Sequence, residues 1–160
     1  LNGDRQPLSL RISEEDVIQL EQIVDNRNLT IQMYRDAIQA YNPDDRYLYT
    51  CAAGVRSFHI DPYGRLSLCM TAREPQYDLR GGSLKEGWDE FLKDVRYQPA
   101  DDRYNCNQCE LSPICGMCPG WAQIEHRGSM KPVEFLCRTT HLRNQAYHLV
   151  TTEEVEIILE

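Results

Sequence analysis

No stretch of this 160-residue chain approaches the roughly 18 consecutive apolar residues of a membrane-spanning helix, and no charged-then-apolar leader opens it. A soluble, cytoplasmic protein without a membrane partner is the expectation. Basic residues are scarce: 17 Lys and Arg stand against 25 Asp and Glu, for a formal net charge of -8. No basic run offers a face to a phosphate backbone, so nucleic acid is not an expected partner. There is no Ser-His-Asp order, P-loop or paired-carboxylate spacing to suggest hydrolytic or phosphoryl-transfer chemistry, and no internal repeat. An initiating methionine is also missing; "LNGDRQPLSLRI" reads like the interior of a longer protein.

With 41% hydrophobic residues the chain can build one ordinary core. Ser13 caps an expected helix over about 14 to 25, with Glu14, Glu15 and Asp16 in its first turn and Val17, Leu20, Ile23 and Val24 on one face. Thr30 caps a second over about 31 to 41, carrying Ile31, Tyr34, Ile38 and Tyr41, and "NPDDR", Asn42 to Arg46, is the best linker. "SFHIDPYGRLSLCM", Ser57 to Met70, reads as a short hairpin around a type I turn at "DPYG", with Phe58 and Ile60 toward the core and His59 toward solvent. "SLKE", Ser83 to Glu86, is a capping box ahead of an apolar stripe of Leu84, Trp88, Phe91, Leu92 and Val95. A last helix is expected over about 134 to 148 with Cys137 in its first turn, and the tail "TTEEVEIILE" is an edge strand or unstructured.

Sulfur is what the chain has in abundance. Its seven cysteines are an odd number, which suits thiolate or metal chemistry better than a fully paired disulfide framework. Four lie in "CNQCELSPICGMC" as Cys106-x2-Cys109-x5-Cys115-x2-Cys118, and Cys137 follows eighteen residues later. A C-x2-C pair brings two thiolates to one centre in a single turn, with loop N–H groups free to point at the sulfurs. Zinc modules built from two such pairs usually separate them by about 15 to 20 residues. Here five intervene, closer to a ferredoxin string whose last cysteine, followed by proline, serves a different cluster. Cys118-Pro119 has that ending. Two cubane clusters take eight thiolates, so seven leaves one position for a non-cysteine ligand or an open iron.

Cys51-x12-Gly64-x4-Cys69, then the four-cysteine string, then Cys137, resembles the seven-cysteine signature of the SPASM domain, the C-terminal extension of many radical S-adenosylmethionine enzymes. The resemblance spans about residues 47 to 142 and includes "DPYGRLSLC" and "GSLKEGW"; the usual pattern has three residues between the fifth and sixth cysteines, where this chain has two. It implies a small, irregular α+β domain at 47–150 with one hairpin, several helices and cluster-held loops. Residues 1–46 would end the preceding partial barrel and its bridge, and 151–160 would be a tail. It also implies two [4Fe-4S] clusters, one on Cys106, Cys109, Cys115 and Cys137 and the other on Cys51, Cys69 and Cys118. The implied partners are a radical S-adenosylmethionine barrel, in the same or a separate chain, a peptide or protein substrate, and an electron donor or acceptor such as a ferredoxin or flavodoxin. The implied roles are electron relay and substrate binding in an oxidoreductase-type maturase.

No C-x3-C-x2-C triplet, the loop that holds the radical-generating cluster of such enzymes, occurs in the chain, so it is not expected to cleave S-adenosylmethionine alone. S-adenosylmethionine and a further cluster would belong to the missing N-terminal part. Two readings compete: a structural zinc module for protein contacts, and a stand-alone electron-transfer or peptide-recognition partner of a separate radical enzyme. His59 is a weaker candidate for the unfilled position, and Met70 and Met117, flanking cluster cysteines, read as packing.

Overall fold

The computed structural model describes residues 6–24, 27–42, 47–101 and 104–150. The fold is α+β, pairing α-helices with a small antiparallel sheet. The expected linker falls largely, and the C-terminal tail entirely, outside the described residues. The chain forms two compact units that interleave along the sequence. A helical unit draws on Leu1–Asp44, Asn105–Met117 and Pro132–Glu160, and a hairpin unit on Asp45–Tyr104 and Cys118–Lys131.

In the helical unit, α1 (Glu14–Val24) packs on α6 (Glu134–Tyr147), and α2 (Arg27–Ala40) packs on the 3-10 turn Ser112–Ile114. Ser13 caps α1 as expected, its Oγ accepting from the Asp16 N–H at 3.1 Å. The docked face of α1 is not the expected one. Leu20 and Ile23 are exposed, while Glu14, Val17, Ile18 and Glu21, at helical spacing, turn inward. The physical reason is ionic: α6 presents Arg143, whose guanidinium grips the Glu21 carboxylate through two bonds of 3.0 and 2.5 Å and lies over the Tyr34 ring. Thr30 is not the cap of α2 but a buried residue inside it. Along α6 the buried face is polar: Thr139 and Thr140 donate to the Phe135 and Leu136 carbonyls four residues back, and Asn144 exchanges two hydrogen bonds with Val150.

The hairpin unit is built on β1 (His59–Ile60), β2 (Arg65–Ser67) and β3 (Tyr77–Asp78), all antiparallel with β2 central. The turn forms where expected. The Gly64 N–H donates to the Asp61 carbonyl at 3.1 Å, and Gly64 takes φ +78, a left-handed value that glycine adopts without strain. The side-chain faces of β1 differ from the expectation: Phe58 and Ile60 are exposed and His59 is half-buried. β1 is an edge strand, paired His59 to Ser67 and Ile60 to Leu66, and it is the central strand β2 that is covered on both faces, with Leu66 and Ser67 both fully buried. Phe58 instead meets Trp88 edge-on at the surface, 5.6 Å between centroids.

The capping box is present. The Ser83 Oγ accepts from the Glu86 N–H at 3.2 Å, and the Ser83 N–H donates to the Glu86 carboxylate at 2.8 Å. It opens α3 (Leu84–Glu86), which runs through a π-helical stretch, Gly87–Leu92, into α4 (Lys93–Arg96). Leu92 and Val95 of the expected stripe are buried, whereas Leu84 is exposed.

Beyond the turn, the Arg80 side chain holds Asp78 through bonds of 2.8 and 2.6 Å, and the Arg80 N–H adds a third of 3.0 Å. These hold the Asp78 carboxyl down to about 2. Because the folded value lies below the ordinary one, this stabilisation is complete above about pH 4 and is lost as pH falls toward 2. In an NMR titration, Arg80→Ala is expected to return Asp78 toward the ordinary carboxylate range; an unmoved Asp78 would contradict the assignment.

Candidate metal centre

All seven cysteines are free thiols, with Cys51 exposed and the other six half-buried. They divide between the units, four in the helical unit and three in the hairpin unit.

In the helical unit, Cys106 lies in the 3-10 turn Asn105–Gln108, and the Cys109 N–H returns to its carbonyl at 3.4 Å. Leu111 and Ile114 are buried and anchor the string from Cys109 to Cys115. Cys137 enters through α6, its N–H bonded to the Val133 carbonyl at 3.0 Å, so the expectation of a first-turn cysteine holds. Burial raises the Cys109 thiol most strongly, while the Leu111 and Ser112 N–H groups beside the sulfur pull it down. Burial also raises the Cys137 thiol, with the charges of Cys115 and Cys109 adding to it. These three sulfurs are therefore electrostatic neighbours. The Thr140 hydroxyl oxygen, one helical turn beyond Cys137, lies 3.5 Å from the Cys115 Sγ.

In the hairpin unit, Cys69 leaves β2 and its Sγ accepts from the Ala72 N–H at 3.2 Å. The Thr71 hydroxyl lies 3.1 Å from the Cys69 Sγ and 4.0 Å from the Cys118 Sγ, linking the two sulfurs. Cys118 is the N-cap residue of α5 (Pro119–His126), but its sulfur makes no capping bond. Pro119 at N1 starts the helix with its fixed φ and no unsatisfied N–H. Gly120 lets the helix start approach the Thr71–Ala72 backbone: a Cβ there would lie 2.6 Å from the Ala72 N and 2.8 Å from the Thr71 Oγ1. Tyr49, two residues before Cys51, completes the neighbourhood. Burial pushes its phenol up to about 12, the charges of Cys69, Cys118 and Cys51 reinforce the shift, and a hydrogen bond from Gln123 opposes it.

Among the described residues, no three His, Cys, Asp or Glu side chains converge on a single-ion site. A tetrahedral zinc with Zn–S bonds of about 2.3 Å brings its sulfurs within about 4 Å of one another. A cubane attaches each thiolate to a different iron, so its sulfurs stand farther apart. The donor chemistry suits such a group: thiols without disulfides, a main-chain N–H donating to the Cys69 sulfur, and Thr hydroxyls beside the Cys69 and Cys115 sulfurs. His59 lies beside Asp61, and Met70 is exposed rather than packed. Thr71, Thr140, Tyr49 and Gln123 were not anticipated from the sequence; only Thr140, at i+3 from Cys137, carried a positional signal.

Comparison of the chain with protein-family models, with curated proteins and with solved structures gives no match.

Gly120→Ala provides a direct check on the Cys118 placement. Alanine favours a helix by about 1 kcal/mol, whereas overpacking against backbone costs about 1–3 kcal/mol. The variant is expected to unfold at lower urea concentration than the parent; equal or greater stability would contradict the close approach.

Proposed function

We propose that this chain is the auxiliary-cluster part of a radical S-adenosylmethionine enzyme that modifies a peptide or protein. It would bind one [4Fe-4S] cluster through Cys106, Cys109, Cys115 and Cys137 and another through Cys51, Cys69 and Cys118. The fourth position of the second is not a cysteine of this sequence.

The observation that supports this reading is the division of the cysteines. "CNQCELSPICGMC" is contiguous, yet Cys118 belongs to the hairpin unit with Cys51 and Cys69, while Cys106, Cys109 and Cys115 belong to the helical unit with Cys137. A paired-knuckle zinc site would keep Cys118 with the other three members of the string. Four thiols in one unit and three in the other is the distribution that two cubanes with one non-cysteine position would need.

When bound, such clusters supply one-electron transfer at potentials set by their surroundings. The residues of this chain would hold them, shield them from water and donate hydrogen bonds to their sulfurs, as the Ala72 N–H already does for the Cys69 sulfur. Radical generation would belong to a barrel carrying the C-x3-C-x2-C loop, with a ferredoxin- or flavodoxin-type protein exchanging electrons.

Anaerobic preparation followed by iron, sulfide and zinc analysis tests the reading. Roughly seven or eight irons per chain with matching sulfide is the expected result. Stoichiometric zinc without sulfide would replace it with a structural zinc module.

A further inference from the structure

Two threonines stand beside cysteine sulfurs, one in each unit, and their hydroxyl protons have different fates. In α6 the Thr140 Oγ1 donates to the Leu136 carbonyl at 2.8 Å. A hydroxyl has one proton and a carbonyl only accepts, so that proton is committed to the helix and the Cys115 Sγ, 3.5 Å away, receives none of it. Thr71 has no such carbonyl. Among the described residues, its hydroxyl has two hydrogen-bonding neighbours, the Cys69 Sγ at 3.1 Å and the Cys118 Sγ at 4.0 Å.

The surrounding loop fixes the hydroxyl in that position. The Cys69 N–H donates to the Ala72 carbonyl at 3.4 Å, the Ala72 N–H returns to the Cys69 Sγ at 3.2 Å, and Ala72 is buried. From the other side the start of α5 closes in, where a Cβ on Gly120 would lie 2.8 Å from the Thr71 Oγ1. With free thiols, either atom of the Thr71–Cys69 contact can carry the shared proton. A thiolate ligand has no proton to give, so ligation leaves Thr71 as the donor and the sulfur as the acceptor.

We propose that Thr71 donates its O–H to the Cys69 sulfur and is a positioning residue that, through Cys69, raises the reduction potential of the three-cysteine centre, whereas Thr140 has no such effect on the four-cysteine centre. The inference rests on the two-cluster reading. A hydrogen bond to a ligand sulfur stabilises the reduced, more negative state, so its removal lowers the midpoint. Cys69 then carries two donors, the Ala72 N–H and the Thr71 O–H, while the Cys118 Sγ has only the longer Thr71 contact and makes no capping bond.

The test uses the full chain loaded anaerobically with iron and sulfide, as wild type, Thr71→Val, Thr71→Ser and Thr140→Val. The three-cysteine centre is identified as the one whose signal Cys69→Ser alters. All four chains are expected to hold equal iron and sulfide. Thr71→Val is nearly the same size but lacks the proton. In it the reduced-to-oxidised ratio of that centre at fixed potential is expected to fall about tenfold, which is about 59 mV for a one-electron couple. Thr71→Ser, which keeps a hydroxyl, is expected to retain the wild-type midpoint, and Thr140→Val to leave the other centre's midpoint where it is. Electron-nuclear double resonance on the reduced three-cysteine centre is expected to contain an exchangeable-proton coupling that Thr71→Val lacks and Thr71→Ser keeps.

An unmoved midpoint in Thr71→Val overturns the inference, and so does an equal fall in Thr71→Ser, which would trace the effect to packing. Should Thr71→Val fail to load, Thr71→Ala reads the same shift; loss of that cluster in both also overturns it, since the oxygen would then hold the cluster rather than tune it. A tenfold fall at the other centre in Thr140→Val contradicts the distinction between the two hydroxyls. A wild-type chain that takes up no iron and sulfide overturns the two-cluster reading itself, and this inference with it.

Discussion

The close approach of Gly120 to the Thr71–Ala72 backbone is the contact on which the hairpin-side site depends. Pro119 starts α5 and Gly120 removes the Cβ that would block it, so the residue just before the helix, Cys118, comes to the loop that holds Cys69. Cys118 supplies the N-cap backbone, and its Sγ makes no capping bond. A three-residue sequence, Cys-Pro-Gly, thereby sets the last thiol of the string beside the loop that holds Cys69.

Both sets of cysteines have a Thr hydroxyl beside a sulfur, Thr71 at Cys69 and Thr140 at Cys115. The Cys69 sulfur accepts from the Ala72 N–H, and burial raises the Cys109 and Cys137 thiols of the helical unit. For Cys109 and Cys137 burial favours the protonated thiol; deprotonation needs a compensating cation, which couples ligation to proton release. The same donors that pull the thiols down would stabilise thiolate ligands. The weakly structured string from Cys106 to Cys115, held by 3-10 turns and two buried apolar residues, has little packing of its own, so ligation would contribute much of its order.

Much of this was legible in the sequence where local chemistry decides the outcome. The Ser13 cap, the Ser83–Glu86 capping box, the Asp61–Gly64 turn and the first-turn position of Cys137 all follow from hydrogen bonds within a few residues of each other. Periodicity misled where a long-range partner decides. The α1 stripe through Leu20 and Ile23 is more apolar than the face that docks, but Arg143, far along the chain, selects Glu21. The β1 alternation failed because β1 is an edge strand, and burial falls on both faces of the central strand β2 through Leu66 and Ser67. For the seven cysteines, the resemblance implied a grouping of four and three, and the two units of the fold hold four and three cysteines. Tyr49, Gln123 and Thr71 could not be read from the sequence, because their roles arise from contacts spanning up to 74 residues.

The central claim is that neighbouring cysteines of one string serve different centres, and a paired substitution tests it most directly. Cys115→Ser and Cys118→Ser, each loaded anaerobically and examined by Mössbauer and electron paramagnetic resonance, should lose or perturb different clusters. Cys118→Ser is expected to alter the same signal as Cys69→Ser, and Cys115→Ser the same signal as Cys137→Ser. If Cys115→Ser and Cys118→Ser instead abolish one common signal and leave the effect of Cys69→Ser separate, the division of thiols between two centres is wrong.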